Sequence, residues 1–160
     1  MTTPAASGSA FLERAVDLAV KSATAGGGPF GAVIVKDDQV IATGENRVTR
    51  DNDPSAHAEV TAIRRAGQAL GTFALHGCVL YSSCEPCPMC ASPALWARLD
   101  AVVFAADRQD AARGGFDDAR FWALMRTDYQ QWDIPVRLER IPGFFDPFDA
   151  WTSFAGRTPY

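Results

Sequence analysis

The stretch Cys78-Val79-Leu80-Tyr81-Ser82-Ser83-Cys84-Glu85-Pro86-Cys87-Pro88-Met89-Cys90 decides how this chain is read. Cys78 to Ser82 is a short apolar run of strand length. The cysteines that follow open a helix, predicted from about Cys87 to Leu99. Ala101 to Ala106 is a second apolar run without alternation, the pattern of a strand buried on both faces. Strand, helix and strand in succession point to an α/β protein.

Upstream, Phe11, Leu12, Ala15, Val16, Leu18 and Ala19 recur at helical spacing. A helix is therefore predicted from about Ser9, its N-cap, to Thr24, behind a loose tail over residues 1–8. Gly26-Gly27-Gly28-Pro29 ends it. With Gly31 this loop spells G-x-G-x-x-G, but a dinucleotide fingerprint needs a strand before it and a helix after it. Here a helix precedes and a strand follows, so the glycines are read as letting backbone approach a neighbour closely. Phe30–Lys36 and Gln39–Glu45 form a hairpin about Asp37-Asp38. Asn46 to Asp53 is polar loop. Ser55 is placed to cap a helix from His57, whose buried stripe is Val60, Ile63, Ala66 and Leu70 and whose stop is Gly71.

Downstream, residues 108–126 read as helix broken at Gly114-Gly115, and Val136–Arg140 as a last strand. Asp146-Pro147-Phe148-Asp149 reads as a helix start with an aspartate N-cap. The sum is a three-layer α-β-α sandwich around a five-stranded mixed sheet, in one domain spanning 1–160.

The chemistry lies at two predicted helix starts. Cys87 and Cys90 are one turn apart on one helix face. The positive end of the helix dipole favours their thiolate forms. If the helix that begins at His57 converges on them, three ligands meet at one point. A catalytic zinc takes three protein ligands and keeps one position open for water. Glu59 is then left over as an acid/base group, placed to take a proton from water that zinc acidifies toward a pKa of roughly 7. Other readings stay open. Cys84 as a fourth ligand would close the site into a structural zinc, and Cys87 with Cys90 could form a redox pair. An iron–sulfur run would need a further cysteine at position 94, which is alanine. Neither the redox nor the cluster reading uses His57-Ala58-Glu59.

The 15 basic and 19 acidic residues leave a net charge of −4, which argues against a nucleic-acid backbone as partner. Residues 128–160 carry Arg137, Arg140 and Arg157 against five acids, which sharpens the point. No run of apolar residues is long enough for a membrane span, and no signal peptide is expected at the start. Three of the four cysteines cluster, which fits a reducing, cytoplasmic setting better than a disulfide framework.

His57-x-Glu59 followed by Pro86-Cys87-x-x-Cys90 is the signature of zinc-dependent base deaminases. The chain resembles the cytidine deaminase superfamily, and within it the bacterial guanine deaminase branch. The likeness runs through Gly28-Pro29-Phe30-Gly31-Ala32-Val33, Asn52-Asp53-Pro54-Ser55-Ala56-His57-Ala58-Glu59 and Ser83 to Cys90. It continues in Trp96-Ala97-Arg98, Gly115-Phe116-Asp117-Asp118 and the aromatic tail to Tyr160. The zinc motifs belong to the whole superfamily; the Gly-Phe-Asp-Asp stretch and the tail point to the branch.

This resemblance implies a cytoplasmic hydrolase that takes Zn2+ on His57, Cys87 and Cys90 and removes the amino group of a small purine, guanine, with Glu59 as proton carrier. It implies that Asp118 is a second catalytic acid, that Asn46 hydrogen-bonds the base, and that Phe30 and Trp96 line the pocket. It further implies that Tyr160 and the tail, about residues 141–160, close over the site, and that the tail is exchanged between the subunits of a homodimer. Other small-base or nucleoside deaminases, and tRNA adenosine deaminases, share the zinc motifs.

Overall fold

The computed structural model describes residues 7–160. The elements run α1 (Ser7–Thr24), β1 (Gly31–Lys36), β2 (Gln39–Glu45), α2 (Val48–Asp51), α3 (Ala58–Leu70), β3 (Cys78–Cys84), α4 (Pro88–Trp96) and β4 (Ala101–Ala106). They continue with α5 (Arg108–Arg113), α6 (Asp118–Leu124), a 3-10 turn over Tyr129–Gln131, and α7 (Asp146–Ser153). The strands order as β2-β1-β3-β4. β1 pairs antiparallel with β2 and β3, and β3 pairs parallel with β4 across α4, so the sheet is mixed.

Strand side chains alternate between faces, and β1 sorts its apolar residues accordingly. Ala32 and Ile34 pack with Ala58, Ala62 and Ala66 of α3 and with Leu80. Val33 and Val35 pack on the opposite face with Ala15 of α1. These two clusters make the three layers. The hairpin turns at Asp37 and Asp38, with φ of 49° and 58°, the pair of positive values a two-residue hairpin requires. Gly44 fixes how closely α3 lies on β2. A Cβ there would stand 2.0 Å from the Ala58 carbonyl oxygen, so any larger residue would push the first turn of α3 off the sheet.

The sheet has four strands among the described residues, not five. Val136–Arg140 is irregular, and Leu138 is exposed. The segment alternates apolar and charged residues, but a strand is stable only as part of a ladder, and no described strand lies beside it. β4 also departs from expectation: it is an exposed edge strand, with Val102 38%, Val103 38% and Phe104 42% accessible. The core of α1 and α3 is centred on β1 and β3, which leaves β4 at the rim.

Helix starts shift by small amounts. Ser9 lies inside α1, while the expected tail over residues 1–8 falls outside the described residues up to position 6. His57 rather than Ser55 is the N-cap of α3; Ser55 instead donates its backbone N–H to Asp53 Oδ1 at 2.8 Å. Phe145 takes the N-cap expected at Asp146. One turn of helix, α2, stands inside the predicted loop 46–53. The break at Gly114-Gly115 separates α5 from α6 as expected.

Candidate active site

Two helix N-termini converge. His57 and Cys87 are the N-cap residues of α3 and α4, both extended (ψ 159° and 169°), and Cys90 follows in the first turn of α4. His57 Nδ1 lies 3.4 Å from Cys90 Sγ and 3.7 Å from Cys87 Sγ, and the two sulfurs are 3.7 Å apart. All three ligand atoms lie within 4.8 Å of one another. One imidazole and two thiols at this spacing fit a tetrahedral ion with one position left for solvent or substrate. A hydrogen bond from Cys90 and the nearby His57 ring hold the Cys87 thiol well below its ordinary range, and the shared proton pushes Cys90 up. The Cys87 sulfur in turn raises the imidazole of His57. This thiolate-ready pair suits a metal that displaces the remaining proton.

Cys84 is not part of this group. Its Sγ lies 3.7 Å from the Asp107 carbonyl oxygen, and burial pushes its thiol up to about 12. The closed, four-ligand alternative is therefore not formed among the described residues.

Glu59 sits two residues after His57 and still reaches the group, because His57 stands outside the helix proper. It is 4% accessible, accepts from Ser82 Oγ at 3.2 Å, and lies 3.4 Å from Cys90 Sγ. Burial raises its carboxyl above the usual range. Asp118 opens α6, is half-buried, and is likewise raised, first by desolvation and then by the Cys87 sulfur. Two acids with raised pKa values thus face one cavity, as acid/base chemistry near neutral pH requires.

That cavity has a volume of about 260 Å³ and is lined by His57, Cys87, Glu59, Asp118, Asn46 and Phe30, with Phe116 among the rest. Phe30 meets Phe116 edge-to-face, ring centres 4.8 Å apart. Asn46 is buried; its Oδ1 accepts from the Val48 N–H at 3.2 Å, and its backbone N–H donates to the Phe30 carbonyl at 3.1 Å. Trp96 and Tyr160 are brought together elsewhere. Their rings lie 5.7 Å apart, with Trp151 6.2 Å and Phe73 6.3 Å from Tyr160, in an apolar groove where the tail meets α3 and α4. Neither lines the metal cavity in the single chain.

Residues outside the sequence-based set also belong here. Glu85 lines the cavity and is paired with Arg108, whose Nε lies 2.9 Å from Glu85 Oε2 and whose Nη2 meets Oε1. That pairing holds the Glu85 carboxyl below the usual range. The guanidinium stacks 4.5 Å over Trp122 of α6, and Trp122 Nε1 donates to the Pro86 carbonyl at 3.3 Å. The metal-binding loop is thereby tied to the helix that carries Asp118. Val48 and Thr49 of α2 also line the cavity and carried no sequence signal, whereas Phe116 stands beside the Asp117-Asp118 pair that did.

The sequence profile of the cytidine and deoxycytidylate deaminase zinc-binding region matches residues 6–106. The chain is 50% identical over 151 residues to guanine deaminase of Bacillus subtilis, covering 94% of this chain and 97% of that protein. The X-ray structure of that guanine deaminase superimposes with a TM-score of 0.92 over 95% of this chain and 98% of the other. A guanine deaminase structure from Nitrosomonas europaea is 32% identical, with a TM-score of 0.66 over 74% and 68% of the two chains. The tRNA-specific adenosine deaminase of Aquifex aeolicus is 40% identical over 105 residues, 66% of this chain and 68% of that protein.

Proposed function

This chain belongs to the cytidine and deoxycytidylate deaminase family, and from that premise we propose that it is a zinc-dependent guanine deaminase, converting guanine and water to xanthine and ammonia. One observation carries the reading: a single small cavity is lined by the metal group, by Asn46, and by two carboxyls of raised pKa, Glu59 and Asp118. The likeness to the Bacillus enzyme covers 94% of the chain, whereas the likeness to the tRNA deaminase covers only about two-thirds of it. At about 260 Å³ the cavity is smaller than the roughly 300–1,000 Å³ of sites for drug-sized ligands, which supports a free base rather than a nucleoside. The acidic net charge of −4 supports a small substrate over a nucleic acid.

His57, Cys87 and Cys90 would hold the zinc, which when bound supplies a nucleophile at neutral pH by acidifying water. Glu59 takes the proton of the attacking water as the water oxygen bonds to C2 of guanine. The same carboxyl then delivers that proton to the ring. The C2 hydroxyl then gives up its remaining proton, which Glu59 and Asp118 pass to the exocyclic amine, so that the amine leaves as ammonia as its bond to C2 breaks and the C2 carbonyl of xanthine forms. Asn46 orients the base, and Phe30 packs against its face. Burial suits both carboxyls to this exchange, because a raised pKa brings each nearer the working pH.

The single deaminase domain carries a tail that, in this reading, closes a site in a homodimer, with Trp96 and Tyr160 reaching the substrate through that assembly. Two features support exchange with a second copy: the open apolar edge at β4, and the exposed apolar row Ile141, Phe145, Phe148 and Phe154. A reducing, cytoplasmic setting suits Cys87 and Cys90, which bind metal only as free thiolates. The decisive experiment is ammonia release by the zinc-loaded protein across guanine, guanosine, adenine, cytosine, cytidine and aminotriazines. Turnover of guanine above all others is the expected outcome. Activity on another member with none on guanine would replace this substrate assignment.

A further inference from the structure

The glycine loop after α1, which the fold does not use for nucleotide binding, stands against Asn46. A Cβ on Gly28 would lie 2.8 Å from Asn46 Cγ, 2.9 Å from its Oδ1 and 3.1 Å from its Nδ2. A Cβ on Gly27 would lie 2.9 Å from the Asn46 carbonyl oxygen and 2.5 Å from Ser22 Oγ. At each glycine the two shortest of these distances are below what real side chains tolerate. Neither glycine has the left-handed backbone that would call for glycine on its own account, so the space alone requires them. The remaining contacts hold the residue's backbone and its side-chain oxygen. Ser22 Oγ donates to the Asn46 backbone carbonyl at 3.3 Å, and the Val48 N–H occupies Oδ1. With Oδ1 engaged, the Nδ2 amide hydrogens are left for a ligand acceptor, a ring nitrogen or a carbonyl oxygen of the base.

We infer that Gly28 is a positioning residue: by leaving room for the Asn46 amide it holds Nδ2 as the donor that the substrate base meets. This rests on Asn46 contacting the base, as in the function proposed above. The groups concerned come from three separate stretches, α1 (Ser22), the glycine loop (Gly27 and Gly28) and the start of α2 (Val48), and they converge on one residue, Asn46, whose side chain lines the cavity. Adding one methyl at Gly28 must turn or displace the amide, because Ser22 anchors the Asn46 backbone and the Val48 N–H holds its Oδ1. A displacement on the order of 1 Å in a positioning group costs about 100-fold in turnover efficiency.

The test is a double-mutant cycle of Gly28→Ala and Asn46→Ala, read as kcat/KM for ammonia release from guanine, with zinc content measured on each protein. Gly28→Ala should bind a full complement of zinc and lose about 100-fold. Asn46→Ala should lose at least as much, and the double variant should match Asn46→Ala alone, since there is then no amide to displace. Normal activity of Gly28→Ala beside a crippled Asn46→Ala overturns the inference. So does a Gly28→Ala loss that adds in full on the Asn46→Ala background. Full activity of Asn46→Ala is a separate result: it removes the base contact itself, and the inference with it. Should Gly28→Ala fail to fold, the double variant must fold and bind zinc; equal misfolding would place the glycine's role in the loop and sink the proposal.

Discussion

β3 and β4 are neighbours in one sheet, similar in length and both apolar, yet they meet opposite fates. β3 lies between β1 and β4, and Cys78, Leu80 and Ser82 are buried. β4 is bare along nearly its whole length. The same division runs through the molecule. Up to Ala97 the chain builds its own core and places His57, Glu59, Cys87, Cys90 and Asn46 in it; beyond that point Ala111 is the one core residue, and Asp118 and Phe116 enter the site from a segment with little interior of its own. The lesson is that the site joins a part with an interior of its own to a part that lies largely open in the single chain. His57, Cys87, Cys90 and Glu59 belong to the first; Asp118 belongs to the other.

The sharpest way to break this division is at Glu59. Because it is buried beside the metal group without being a ligand, Glu59→Ala should lower kcat by about 10⁴-fold, the upper range for one acid/base group. Zinc content, read by elemental analysis, should stay at one per chain. Loss of metal would show that Glu59 maintains the ligand set instead of moving protons.

Asp118→Ala tests the contribution of the less buried part and should cost about 100-fold, the lower end of the same range. Asp118 is half-buried where Glu59 is fully enclosed, so solvent can replace it more readily. Steady-state kinetics on guanine would settle its role: near-normal kcat reduces Asp118 to the first residue of α6.

The bond between the two parts is the next to probe. Arg108→Ala removes the ion pair to Glu85 and the stack on Trp122, which together tie the metal-binding loop to α6. Such supporting contacts are commonly worth about 10–100-fold. The lower figure is expected in kcat, with KM for guanine and zinc content little changed. A fall in zinc content instead would place Arg108 in the support of Cys87 alone.

How much of this was legible in the sequence follows the same line. The candidate ligands follow local patterns, Cys87 and Cys90 one helical turn apart and His57 at another helix start, so the motif could single them out, and the structure brings their side chains together. The hairpin of Phe30–Lys36 and Gln39–Glu45 about Asp37-Asp38 was equally local, and it formed as expected, with β1 starting one residue later at Gly31. The helix caps were displaced because a cap depends on backbone angles that neighbouring segments set: Ser55 was drawn into a turn with Asp53, leaving His57 to begin α3. The glycine loop showed that some backbone must pass closely, but not that its neighbour would be Asn46. Val136–Arg140 has the alternation of a strand, and β4 has the apolar run of a buried one. Neither pattern encodes whether a ladder partner or a covering layer exists within the same chain, and here the described residues supply neither.

The smallest effect on chemistry, and the most direct test of whether a second copy covers β4, is expected at Phe104. Its side chain is 42% accessible on β4, so Phe104→Glu should leave the fold of the single chain within about 0.5 kcal/mol of the parent, as for other exposed substitutions. If a second copy covers β4, however, association must bury the new carboxylate without a partner, a cost of about 2–5 kcal/mol at an interface. Sedimentation of the parent protein should give twice the 17.2 kDa of one chain, and Phe104→Glu should shift the equilibrium toward the single chain at the same concentration. The melting temperature would become concentration-dependent for the parent and less so for the variant, since a subunit that binds only folded protein stabilises by mass action. A parent that sediments as one chain would remove the homodimer. A parent dimer indifferent to Phe104→Glu would move the interface off β4 and onto the tail and the α3–α4 groove, where Trp96 and Tyr160 already meet.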